Sequence, residues 1–364
     1  MFARDHIHTL TGLRGVAALW VVLLHGSFGK VNSFPYLPGF DKKVAWGSFE
    51  NIVSHGYYAV DLFFILSGFI IPYVYVRNLA NGRDNFFSYM IKRFARLYPA
   101  HAFITLALAG AYSVSLWQPV YHFEWWSALL SMGLMNIWKD PSINIPAWSI
   151  SAEFFAYLSF PVIWFMIGKA KGKIVLLSII FSLIFVYVSG IAMVIGMHWH
   201  YGLGAVFRVL CGFSIGCVLY RLYSDKICVF YTPVHNDHVF ITCVIGLFVV
   251  LFISLPVYFV YPFLPFIIFY LAVSQGYVKV FFSSRPMVYL GMISYSVYLV
   301  HYPVLEIYRI LLNDYFAGLD MVSDQKEIRF WMTAIVVSVL IAAALIYHGI
   351  EEPCRRWIRK RFLA

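Results

Sequence analysis

The chain has 364 residues, 62% of them hydrophobic and only 12% charged, and its mean hydropathy is +0.77. That composition excludes a water-soluble domain, which has to cover its surface with polar groups. A formal charge of +10 would point to nucleic acid in a soluble protein. Here the basic residues fall at 77–96, 169–173, 221–226, 279–285 and 355–361, each beside an apolar run, as the positive-inside rule places them. No nucleic-acid partner is expected.

Taken from the N-terminus, charge bias and hydropathy predict spans near 10–29, 56–76, 97–116, 146–168, 174–197, 203–223, 239–255, 259–277, 287–311 and 330–350. The expected fold is all-α and polytopic, with about ten transmembrane helices in one membrane domain and both termini cytoplasmic. The apolar run 239–278 is too long for one span and folds back at Pro256 and Pro262. Residues 125–138 are apolar but too short to cross, so they are expected as a re-entrant or interfacial element. The run from Gly15 to Leu24 mimics the apolar part of a signal peptide, but the sequence after it is equally membranous, so cleavage is not expected. The five cysteines fall in spans or cytoplasmic segments without paired-ligand spacing and read as reduced packing residues.

Ionisable side chains inside a span cost about 2.5–3.5 kcal/mol each on insertion scales, so each is a functional candidate. In the first span Arg14 and His25 are eleven residues apart, which returns to within about 20° of the same helix face and rises about 16 Å. A guanidinium at the cytoplasmic interface suits a phosphate, and a mid-membrane imidazole suits proton transfer. Asp61 and Glu153 each lie early in a span that runs inward, about 8–10 Å below the outer interface. Either carboxylate is placed to orient His25; the competing arrangement is a structural ion pair with Arg208, the one charge of the sixth span away from its ends.

Arg93 and Arg96, one turn apart at the start of the third span, form a phosphate-clamp candidate. In the ninth span Ser294, Tyr298 and His301 share a face beside Tyr295, either as a polar cavity wall or as interhelical hydrogen-bond glue. His301 is a second catalytic candidate and Tyr298 a candidate oxyanion donor. Gly212 and Gly216 form a GxxxG packing motif.

Six stretches carry a family resemblance: Leu-Thr-Gly-Leu-Arg-Gly-Val-Ala-Ala followed by His25, Val-Asp-Leu-Phe-Phe-Ile-Leu-Ser-Gly-Phe, Lys-Arg-Phe-Ala-Arg-Leu-Tyr-Pro, Trp-Ser-Ile-Ser-Ala-Glu-Phe-Phe-Ala-Tyr, Ser-Tyr-Ser-Val-Tyr-Leu-Val-His, and Glu-Glu-Pro. In this order, from residue 9 to residue 353, they resemble the integral-membrane acyltransferase-3 family of bacterial O-acyltransferases. The resemblance implies an enzyme of the inner membrane that takes an acyl group, typically acetyl, from acetyl-CoA or another acyl-CoA. The acceptor it implies is a hydroxyl of a carbohydrate or envelope glycan. It assigns Arg14 and His25 as the functional pair and Arg93 and Arg96 as the family's Arg-x-x-Arg, with no metal. Many relatives add a periplasmic hydrolase-like domain. The basic tail after the last span resembles the stand-alone type, which either completes the transfer or hands the acyl group to a separate periplasmic protein. The alternatives are a transporter of an acylated lipid or glycan, and an acyltransferase for a small molecule that is not a glycan.

Overall fold

The computed structural model describes residues 3–26, 49–82, 85–114, 125–138, 143–169, 178, 179, 182, 201–224, 237–255, 259–317 and 325–363. The helices in chain order are α1 (Ala3–Gly26), α2 (Glu50–Ser54), α3 (Tyr58–Ala80), α4 (Phe86–Ser113), α5 (Trp125–Met132), α6 (Trp148–Lys169), α7 (Gly202–Ser224), α8 (His238–Phe252), α9 (Phe263–Val273), α10 (Tyr277–Phe282), α11 (Arg285–Ala317), α12 (Gln325–Ile346) and α13 (Glu352–Phe362). No strand occurs among the described residues. Among the described residues, six segments are long and apolar enough to cross a bilayer, at 8–26, 58–76, 145–168, 202–224, 285–312 and 329–362. The protein is an all-α polytopic membrane protein.

Most predicted spans correspond to one of these helices, and the differences have local causes. The third begins at Phe86 rather than near residue 97, because Asn85 and Ser88 form a reciprocal cap. The Ser88 backbone N–H donates to Asn85 Oδ1 (2.8 Å) and the Asn85 N–H to Ser88 Oγ (3.0 Å). The basic run Lys92–Arg96 is thereby helical and part of α4. The run 239–278 divides as expected, with Pro262 capping α9, but α8 and α9 are 15 and 11 residues long, shorter than the roughly 20 residues of a full span. Residues 125–138 form the short α5 and a single 3-10 turn, Asn136–Trp138. They are anchored where His101 Nε2 meets the Ser131 carbonyl at 2.7 Å. The predicted span 174–197, Pro256, most of the basic segment 169–173 and most of the loop 30–55 lie outside the described residues.

Two close helix crossings organise the bundle. α1 packs on α11 and α3 packs on α7 more extensively than any other pair. At both crossings a glycine faces backbone. A Cβ on Gly291 would stand 1.8 Å from the Thr11 carbonyl oxygen, and one on Gly15 2.9 Å from the Gly291 nitrogen. On the other pair, a Cβ on Gly216 would stand 2.0 Å from the Ile65 oxygen and one on Gly68 1.9 Å from the Phe213 oxygen. The Gly212–Gly216 motif is therefore a packing site, as its spacing implies.

Residue order along the contacts shows that both pairs are parallel. Gly15 meets Leu290 and His25 meets His301; Asp61 meets Arg208, Gly68 meets Phe213 and Tyr73 meets Tyr220. α6 also runs with α7, since Tyr157 meets Phe213 and Trp164 meets Tyr220. A ten-span scheme requires these same directions of its first and ninth, second and sixth, and fourth and sixth spans.

Because Gly216 faces backbone while Gly110 faces open space, the two glycines should tolerate a side chain very differently. Gly216→Leu is expected to cost about 1–3 kcal/mol through overpacking and Gly110→Leu to be near neutral, as checked by thermal unfolding of the purified protein in detergent.

Candidate functional site

The α1–α11 crossing sets out the candidate residues. α1 presents Arg14 and His25, and α11 presents Ser294, Tyr295, Tyr298 and His301. The ring centroids of His25 and His301 are 4.9 Å apart with the planes tilted by 44°. His25 Nδ1 lies 3.0 Å from the Val21 carbonyl and His301 Nδ1 2.6 Å from that of Tyr298. A carbonyl only accepts, so both Nδ1 atoms carry the proton. His301 is fully buried and its Nε2 has no hydrogen-bond partner.

Tyr298 is the link between this pair and a narrow cleft. Its ring lies 5.5 Å from that of His301. Its hydroxyl donates to the Pro146 carbonyl (3.0 Å) and accepts from Ser149 Oγ (2.7 Å). The hydroxyl proton expected for an oxyanion is thus committed to backbone. The cleft is lined by Arg14, Phe63, Ser67, Ser149, Glu153 and Tyr298, among others, and holds about 40 Å3, room for about three water molecules or a slender chain.

The two carboxylates part company. Both oxygens of Asp61 are taken by Arg208, at 2.7 and 2.8 Å, and one also accepts from Tyr261 at 3.2 Å. Arg208 stacks on Trp148 at 5.4 Å and donates to the Tyr57 carbonyl. Asp61 is therefore engaged in the structural ion pair and not in orienting His25, because the α3–α7 crossing aligns it with Arg208. Glu153 accepts from the hydroxyls of Ser67 and Tyr157 and lies within electrostatic reach of Arg14. The ring that the structure sets against His25 is that of His301.

The arginine pair of α4 separates as well. Arg93 donates to the Tyr75 hydroxyl (2.8 Å), and its guanidinium lies over the rings of Tyr75 (4.9 Å) and Tyr157 (5.7 Å). Its Nε is buried without a partner. Arg96 instead faces Arg14, with Glu351 within reach of both. One clamp of two adjacent guanidinia is replaced by Arg96 with Arg14 on one side and Arg93 held among tyrosines on the other.

Glu351 was not singled out by the sequence reading, although it stands in the Glu-Glu-Pro motif. It is 1% exposed and accepts from Ser296 Oγ at 2.7 Å. A π turn, Tyr347–Glu351, interrupts the last helix there, so 3.6-residue periodicity does not give its direction. An acidic residue at the end of an apolar span was the available signal. Among the described residues, no three His, Cys, Asp or Glu side chains group as a metal site.

Comparison with known proteins gives the family. A family model described as "Acyltransferase domain" matches residues 7–347. The acyltransferase MdmB of Streptomyces mycarofaciens is 32% identical over 168 residues, 44% of this chain and 40% of that protein. The putative peptidoglycan O-acetyltransferase YrhL of Bacillus subtilis is 25% identical over 378 residues, 90% of this chain and 56% of its own length. O-acetyltransferase OatA of Staphylococcus aureus is 25% identical over 376 residues, 90% of this chain and 58% of its own length. The chain spans about half the length of these relatives. No solved structure matches.

Removing the Asp61 charge should expose its structural role. Asp61→Asn leaves Arg208 buried without its counter-ion, so a loss of about 3–5 kcal/mol is expected. Replacing both with leucine should recover most of it, as read from unfolding in detergent.

Proposed function

Because the chain belongs to the acyltransferase-3 family, whose model covers residues 7–347, we propose that it moves an acyl group, acetyl in the simplest case, from acyl-CoA to a hydroxyl of an envelope glycan. The observation that carries this reading is the connection along α1. Arg14 lines a narrow cleft, and Tyr298, which lines it too, leads from the cleft to His301 and His25. The relatives' printed activities, O-acetylation and in one case of peptidoglycan, support the acyl group and the glycan acceptor. The positive-inside pattern supports a bacterial inner-membrane location with both termini in the cytoplasm.

In this mechanism Arg14 and Arg96 hold the phosphates of the donor at the cytoplasmic end. A guanidinium offers paired donors to phosphate oxygens. Glu153 and Glu351 balance the arginines' charge between them. The cleft takes a slender arm and delivers its thioester towards His25, which draws the proton from the acceptor hydroxyl as general base. Attack by that oxygen on the thioester carbonyl forms the ester and releases the thiol. An acyl-histidine at His25 is the two-step version, in which donor and acceptor use the site in turn. Asp61 has no step in either version.

Purified protein in detergent should release free CoA from acetyl-CoA only when acceptor is present; a transporter would leave acetyl-CoA untouched. His25→Gln is expected to lower this rate at least about 100-fold, within the range for a general base. Arg14→Gln is expected instead to raise the donor KM about tenfold or more, the signature of a lost charge-assisted contact. Mass spectrometry of surface glycans from cells with and without the gene names the acceptor by the mass it gains. An unchanged glycan profile with unchanged free CoA overturns the reading.

A further inference from the structure

His301, which meets Tyr298 of the cleft lining, is a buried polar group whose chemistry the mechanism above leaves unused. It has three features that together constrain what it does. Its Nδ1–H is spent on the Tyr298 carbonyl at 2.6 Å, so in the neutral ring Nε2 bears a lone pair and no proton. That Nε2 is buried with no hydrogen-bond partner, an arrangement that natural structures rarely keep without a reason. Its nearest ring is His25 at 4.9 Å, whose Nδ1–H is likewise held by a carbonyl of its own helix.

Each imidazole turns its Nδ1 edge back along its own helix, which leaves the Nε2 edge as the one that leads away from it. Two such lone pairs cannot hydrogen-bond each other directly. A proton taken up at one Nε2 can be shared with the other, and a hydroxyl donates to one of them at a time. We propose that His25 and His301 work as a dyad that takes up one proton between them, with His301 as the positioning residue that shares the proton His25 removes from the acceptor.

This proposal rests on the acyl-transfer reading and refines its proton step. The acceptor O–H bond and the thioester C–S bond break, and the ester C–O bond and the thiol S–H bond form. The proton passes from the hydroxyl to the dyad and from the dyad to the departing thiolate, so the pair ends each turnover neutral. Among the described residues, the titratable groups that face His301 are His25 of α1 and Tyr298 of its own helix. Tyr298 gives its proton to Pro146 and leaves His25 as the partner.

Two measurements on the full chain test this. Nitrogen-15 NMR of histidine-labelled protein in nanodiscs, with signals assigned through His25→Gln and His301→Gln, reads each tautomer and its protonation. The expected result is the Nδ1–H form for both rings at neutral pH and uptake of one proton by the two together on acidification, with the His25 transition displaced in His301→Gln. An Nε2–H form of either ring, or two independent transitions, overturns the dyad. The second measurement is the O-acyl content of surface glycans from cells producing wild type, His301→Gln or His301→Asn at equal levels. Both variants should fall at least tenfold with the donor KM unchanged in the CoA-release assay, and wild-type content in either overturns the positioning role. If neither variant folds, the wild-type spectrum, with the two rings assigned by sequential backbone correlations instead, decides by their tautomers and by whether they take up one proton or two. A wild type without any acyl transfer sinks the functional reading instead, and the spectrum still decides the dyad.

Discussion

The structure depends on how closely α1 can approach α11. Where Gly15 and Gly291 lack side chains, the two backbones touch, and Thr11 and Leu290 fill the positions beside them. In a bilayer no hydrophobic effect drives two apolar helices together, so close packing at small residues has to supply the association. The two helices also run in the same direction. Close and parallel, they keep their register over three turns, and that register sets His25 against His301. A wider crossing would place lipid or another side chain between the rings.

The buried charges form two groups with different duties. In the first turn of α3, Asp61 pairs with Arg208, and the two neutralise one another and are enclosed by Tyr57, Tyr261 and Trp148. Such a pair adds little stability over an apolar replacement, but it fixes which residue of α3 faces which residue of α7. The second group joins Arg14 and Arg96 with Glu153 and Glu351, and its Arg14 and Glu153 line the cleft. Charges that are closed off specify the fold, whereas charges beside open volume remain available to a ligand.

Much of this was readable from residue spacing. The shared face of Arg14 and His25 follows from eleven steps of helix geometry, and Gly212 and Gly216 announced a close packing that the structure shows. Expected depth in the membrane made Asp61 and Glu153 both natural partners for His25. Depth does not say which helix stands beside which. The α3–α7 crossing turned Asp61 to Arg208, and the α1–α11 crossing brought His301 in its place. Arg93 and Arg96 show the same limit: adjacent on α4, they meet different neighbours because Tyr75 and Tyr157 intervene on one side only. Glu351 was hidden for another reason, since a π turn changes the direction of a side chain without any fixed residue type to mark it.

The pairing of the first helix with a late one bears on how the protein is made. Thr9 of α1 donates to the carbonyl of Leu271, 262 residues further along the chain. At about 5–20 residues per second, roughly ten to fifty seconds of synthesis pass between the appearance of the two. Throughout that interval α1 carries Arg14 and His25 on a face whose eventual cover does not yet exist. The insertion machinery, or the helices already delivered, must shelter that face until α11 emerges, so the polar stripe of the finished protein is a burden on the ribosome-bound one.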